Sequence, residues 1–163
     1  MFLQETYELT DCLWYDEATS NAKASQYANN TLTPSYSNNG TTISANETSG
    51  SKFYNTAING STTWRDTSKN YQVEVDFSFT RDSTSSSCSI GIGSAAVGLH
   101  NLFSGANTGS GTLKIVTNGS SFNIWLDGTA KSGTYNMTTQ NGVYFQIYRT
   151  GSITFKNLKI LEI

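Results

Sequence analysis

Five apolar side chains, Tyr71, Val73, Val75, Phe77 and Phe79, stand at alternate positions of YQVEVDFSFT, with Gln72, Glu74, Asp76, Ser78 and Thr80 between them. A period of two sends the first set to one face of a strand and the second set to the other. The same alternation returns at Cys88, Ile90 and Ile92 in SCSIGIGS, at Ile115 in TLKIVT and Ile124 in SFNIWL, and at Val143, Phe145 and Ile147 in GVYFQIYR. No segment shows a comparable helical period beyond a turn near Asp16 to Ala28. Eight or more short strands of this kind predict an all-β chain folded as a two-sheet antiparallel β-sandwich. Val73, Val75, Phe77, Ile90, Ile92, Ile115, Ile124, Phe145 and Ile147 are expected between the sheets.

Local signals refine the pattern. NGS between TLKIVT and SFNIWL reads as a hairpin turn, because Asn and Gly accept positive φ. In SITFKNLKILEI the apolar phase changes between Phe155 and Leu158, which predicts a bulge near Lys156 and Asn157. Gly91 and Gly93 leave one face of their strand bare for close approach of a neighbour. Two separate strands are expected around Gly40 and Gly50, in TTISAN and KFYNTAI. AAVGLHNLFSGANTGSG reads as a loop. Tyr7 to Tyr15 reads as a first strand whose inward face the pattern leaves open between Trp14 and Tyr15.

Serine, threonine and asparagine make up more than a third of the 163 residues, and there is one proline. Such small polar side chains favour strands, turns and solvated sheet faces over long helices. The length suits a single domain, 1–163, with a sizeable core, and Met1 reads as the start of a domain excised from a longer chain. A net charge of -2 with 13% charged residues supplies no field for phosphates, so nucleic acid is not the expected partner. Neither an apolar run of membrane-spanning length nor a signal-peptide pattern is found, so membrane insertion is not expected. Six N-x-S/T triplets, at Asn29, Asn39, Asn46, Asn59, Asn118 and Asn136, are read as products of composition. Cys12 and Cys88 lie 76 positions apart without metal-site spacing, and read as buried thiols in preference to a disulfide.

One tryptophan contradicts its surroundings. In SFNIWLDG, Phe122, Ile124 and Leu126 point one way, which turns Trp125 outward with Asn123 and Asp127. Tyr144, Gln146 and Tyr148 alternate outward in the same manner. If both segments belong to one sheet, Trp125, Tyr144 and Tyr148 form an aromatic platform with Asn123, Asp127 and Gln146 among them. Aromatic faces stack on the C–H faces of sugars while carboxamides and carboxylates bond the hydroxyls, so the expected ligand is a neutral glycan. The competing reading has these aromatics covered by cross-strand neighbours or by another copy of the chain, as in a homo-oligomer. Trp64 and Arg65, in a polar loop before the clearest strand, form a second candidate site, with Trp64 as a core cap the alternative.

The succession NYQVEVDFSF, SIGIG, TLKIVTNGSSFNIWLDG and GVYFQIYRTGSITFKNLKI resembles the concanavalin A-like lectin and glucanase jelly roll, especially its carbohydrate-binding modules and laminin G-like relatives. The resemblance covers Trp64 to Ile163. The excess of Asn, Ser and Thr also resembles surface domains of phage tails, baseplates and microbial adhesins. It implies an extracellular or virion-surface location and a lectin-like role, with a fibre or baseplate structural subunit as the alternative.

Laminarinase-like glucanases in that superfamily carry an E-x-D-x-x-E run, and Glu74-Val75-Asp76 resembles its front half. The slots for the closing glutamate hold Ser78 and Phe79, so a retaining carboxylate pair is missing. His100 is the only imidazole and no G-x-S-x-G elbow accompanies it. The chain is therefore expected not to be an enzyme and to need no cofactor. Structural calcium occurs in the superfamily, and Asp11, Asp16 and Glu17 are the nearest acids to a first-strand site, but no calcium-loop motif is present.

Overall fold

The computed structural model describes residues 32–56, 58, 61–132 and 141–163, together with the backbone of strand residues 12–15. Among the described residues ten strands follow one another: β1 (Cys12–Tyr15), β2 (Ser35–Ser37), β3 (Gly40–Asn55), β4 (Tyr71–Arg81), β5 (Ser87–Ile92), β6 (Ala95–Gly98), β7 (Thr108–Asn118), β8 (Ser121–Leu126), β9 (Thr129–Lys131) and β10 (Val143–Glu162). A short 3-10 helix, Leu99–Phe103, joins β6 to β7. All the strand pairings are antiparallel. The fold is the expected all-β sandwich.

The long strand β10 creates both layers. Phe145 and Phe155 are ten positions apart, about 33 Å along a straight strand. Their rings nevertheless stack at 4.0 Å with an interplanar angle of 17°. The strand therefore folds over, and it does so at Arg149, whose φ is +64°. There Tyr148 pairs with Ser51 while Thr150 pairs with Asn46, so residues 47–50 of β3 stand opposite Arg149 alone. The two segments expected around Gly50 are thus one strand, β3, which bends alongside β10. Layer A consists of residues 51–55, residues 143–148, β5 and β6. Layer B runs β2, residues 40–46, residues 151–162, β4, β7, β8 and β9, and β1 pairs with the end of β10.

All nine expected core residues are buried between these layers. The hairpin turns between Asn118 and Ser121, with Gly119 at φ +61°. The bulge falls where the phase changed, between Lys156 and Lys159, with Asn157 left-handed at φ +54°. Gly91 lies under the ring of Tyr144 and Gly93 under the guanidinium of Arg65, so a Cβ at either would come within 2.7 Å of those groups.

The stretch read as a loop after Gly93 instead contains β6, the 3-10 helix and the start of β7. Ala95–Gly98 is buried on both faces and so shows no alternation. At the start of β7 the inward positions are Gly109 and Gly111, because Phe103 and Leu126 fill the space where their side chains would be. The turn expected between Asp16 and Ala28 lies outside the described residues. No helix among the described residues is long and apolar enough to cross a membrane.

Candidate functional site

The fold separates the residues expected to form one aromatic platform. Trp125 pairs with Lys114 of β7, Lys114 with Glu74 of β4, and Glu74 with Lys159 of β10. This row lies on the outward face of layer B. Tyr144, Gln146 and Tyr148 lie on the outward face of layer A, beside β3 and β5. The expected platform is therefore corrected: β8 and the first half of β10 belong to different layers, because β10 doubles back between them.

Burial corrects it further. Tyr144 is 0% exposed and Gln146 2%, so neither offers a face for stacking. Tyr148 is half-buried, with the Arg149 guanidinium 5.3 Å from its ring. Trp64 is half-buried, donates from Nε1 to the Thr56 carbonyl at 3.2 Å and packs edge-on against Tyr71. It caps the core, the alternative reading of that residue, and Arg65 beside it lies over Gly93.

Trp125 itself is half-buried, with the Lys114 ammonium 4.5 Å from its ring centroid. Asn123 and Asp127 are exposed. Asp127 has a structural task as well: left-handed at φ +49°, it accepts from the Thr112 amide at 2.8 Å and ties the β8–β9 turn to β7.

A hollow of about 400 Å³ is lined by Asn39, Asp76, Phe77, Ser78, Thr154 and Lys156. Asp76 is held in place from both sides. Its Oδ1 accepts from Thr112 Oγ1 at 2.6 Å and its Oδ2 accepts from Asn157 Nδ2 at 2.8 Å. Asn157 reaches Asp76 because the bulge turns it out of the inward phase, a use of irregularity common beside binding sites. Glu74, the other carboxylate of the E-x-D run, faces Lys159 at 3.7 Å.

Layer A carries a different constellation. The outward positions of β5 and β6 are Ser89, Gly91, Ala96 and Gly98, a floor of small residues. Tyr144 lies over Gly91, and His100 and Asn101 lie over Gly98. Among the described residues, Tyr144 Oη, Gln146 Oε1 and Asn101 Nδ2 are buried without a hydrogen-bond partner. Burial pushes the Tyr144 hydroxyl up to about 12, so it stays a donor at neutral pH. Burial, and after it the charge of Arg81, lowers the His100 pKa and keeps the imidazole neutral. A protonated phenol on β10 and a neutral imidazole in the 3-10 helix, both over the small-residue floor of layer A, are groups of the kinds that serve in acid–base chemistry.

Cys88 is a free, buried thiol, so no disulfide links it to Cys12. Desolvation raises its pKa to about 12. In a Cys12→Ser protein, a thiol reagent at pH 8 is expected to leave Cys88 unmodified until denaturant is added. Prompt labelling of the folded protein would refute its burial. Because the folded thiol keeps its proton to about pH 12 and the unfolded thiol loses it above about 9, this group makes stability fall as pH rises from about 9.

Asp11, Asp16 and Glu17 lie outside the described residues. Among the described residues no group of three or more His, Cys, Asp and Glu side chains could hold a metal ion.

No family model matches the chain, and no curated protein matches it. Solved structures do. The carbohydrate-binding module CBM66 from Bacillus subtilis superposes with a TM-score of 0.50 at 13% identity, over 83% of this chain and 93% of that one. An alginate lyase from Corynebacterium sp. gives 0.49 at 10% identity, over 81% of each chain. The alginate lyase AlgAT5 from polysaccharide lyase family 7 gives 0.49 at 15% identity, over 91% and 93%. The expectation of a non-enzymatic chain is corrected by this set, since enzymes stand in it beside a binding module. At these identities the likeness concerns architecture, and it bears out the resemblance drawn from the strand succession: the chain has the concanavalin A-like jelly-roll fold.

Proposed function

We propose that the domain recognises a carbohydrate on the outward face of layer B, at the hollow around Asp76 and with Trp125 as a flanking stacking residue. One observation carries the reading: the Asp76 carboxylate is fixed from two sides beside Lys156, Asn39, Ser78 and Thr154 in an open concavity. Each carboxylate oxygen keeps a second lone pair for a ligand hydroxyl, in a direction set before binding. Trp125 lies two strands and one row from Asp76, roughly 12 Å away, a distance that a short oligosaccharide bridges. Asn123 completes that end of the surface. A location outside the cell or on a virion surface suits such a ligand.

Titration calorimetry against soluble β-glucan, dextran and galactan tests the reading. Asp76→Asn is expected to stay folded and to bind more weakly. Trp125→Ala is expected to lose 10-fold to 100-fold in affinity, on the order of 1–3 kcal/mol for a stacked ring. Full affinity in a folded Trp125→Ala protein would remove Trp125 from the site.

A second reading places carbohydrate cleavage on layer A, and it rests on the unpartnered Tyr144 hydroxyl and the neutral His100 over the same floor of small residues. Tyr144 is closed from solvent and His100 is half-buried, so this reading requires that face to open. Product release from the same polysaccharides, abolished in Tyr144→Phe, would support it.

A further inference from the structure

Two consecutive cross-strand rows on the outward face of layer B consist of nothing but hydroxyl residues. The first runs Ser35–Thr42–Thr154–Ser78–Ser110 across β2, β3, β10, β4 and β7. The second runs Ser44–Ser152–Thr80–Thr108 across β3, β10, β4 and β7. Strands about 4.8 Å apart make the first row about 19 Å long, and the rows are separated by about 6.8 Å. Thr42 and Thr154 share a hydrogen bond at 2.8 Å, as do Thr80 and Ser152, so these hydroxyls are held in a fixed order. The hollow opens at the side of this bed, for Ser78 and Thr154 line both.

A face that meets another protein is ordinarily apolar at its centre, and a face that meets a charged polymer carries the opposite charge. This one has neither charge nor apolar side chain at nine adjoining positions. What it does have is a donor and two acceptors at every lattice point, on side chains with little rotamer entropy to lose.

We infer that the hydroxyl rows form an extended subsite for an internal segment of a neutral polysaccharide, lying across the strands from the Asp76 hollow. This rests on the reading of that hollow as a glycan site. The chemistry favours a neutral polymer over an anionic one, since no bed residue carries a positive charge to balance a carboxylate's. A second copy of the chain gains little from such a surface, because two hydroxyl lattices exclude no apolar area from water.

The test uses Thr80→Val together with Thr108→Val, which keep the β-branched shape, remove two hydroxyls and leave the hollow untouched. Affinity is measured for glucan oligosaccharides of two to eight units, and retardation in gels containing β-glucan, dextran, galactan or alginate. Wild-type affinity is expected to rise with chain length and to survive high salt. The double variant is expected to lose about 10-fold for the longest oligosaccharide while binding the disaccharide as before. Length-independent affinity, or an unchanged double variant, overturns the extended subsite and leaves the hollow standing. Binding to none of these probes overturns both. Preference for alginate overturns the neutral class, and a concentration-dependent dimer lost in the double variant identifies the bed as a contact between copies.

Discussion

Replacing Phe145 by Ala is expected to lower unfolding free energy by about 3–5 kcal/mol, the cost of emptying a large aromatic site in a packed core. Phe145 is 0% exposed and fills space that only the opposing layer can reach. Its ring stacks on Phe155 and meets Tyr54 edge-on at 5.9 Å, so one side chain joins both halves of β10 to β3. Urea denaturation of the two proteins checks the value, with the slope against denaturant unchanged if the variant keeps the same fold. A loss under about 1 kcal/mol would mean that the neighbours collapse into the space and that this stack does not hold the layers together.

Arg81→Ala is expected to cost about 3 kcal/mol, for a different reason. Arg81 continues the inward phase of β4 and is 7% exposed. Its guanidinium donates to Asn107 Oδ1 at 3.0 Å, to the Ser86 carbonyl at 3.0 Å and to the Gly105 carbonyl. Three separate loop positions are thereby fastened to the end of one strand. Bonds to a charged donor are each worth about 1.5–3 kcal/mol, and removing one donor group strands its acceptors together. Arg81→Lys is expected to recover little, because an ammonium cannot span three acceptors in fork geometry. Thermal unfolding of the three proteins decides the matter. Equal stability for the lysine variant would mean that charge alone suffices.

The loss of Arg81 also bears on layer A. Its charge is one of the two causes that lower the His100 pKa, the lesser after burial. In Arg81→Ala the imidazole pKa is expected to move up toward its ordinary value, which an NMR titration of the single histidine would read directly.

The strands β4, β5, β7 and β8 and the inward half of β10 were legible because each has one wet and one dry face, and that difference is written at a period of two. Asn157 was legible as a bulge for the same reason, since a change of phase must be absorbed by an extra residue. β6 was not, because burial on both faces erases the period. Nor was the start of β7, where glycines stand inward to admit Phe103 and Leu126. Arg81 carried a signal that could have been followed: it is the sixth member of the series Tyr71, Val73, Val75, Phe77, Phe79, and a charged residue in an inward phase marks a buried polar clamp.

The candidate site divides along the same line. The outward direction of Trp125, Asn123, Glu74, Asp76 and the hydroxyl residues follows from alternation alone, and alternation sends Tyr144 and Gln146 outward as correctly. What alternation cannot say is which strands are neighbours, or what lies over an outward face. Both depend on the bend at Arg149, where β10 leaves one layer for the other. That bend sets Trp125 and Tyr144 on opposite sides of the domain, brings Asn157 against Asp76 and aligns hydroxyls from five strands. The sequence by itself determined the face of each side chain, because that is a property of the local backbone; the company each one keeps was decided by the tertiary structure, because pairing joins residues a hundred positions apart.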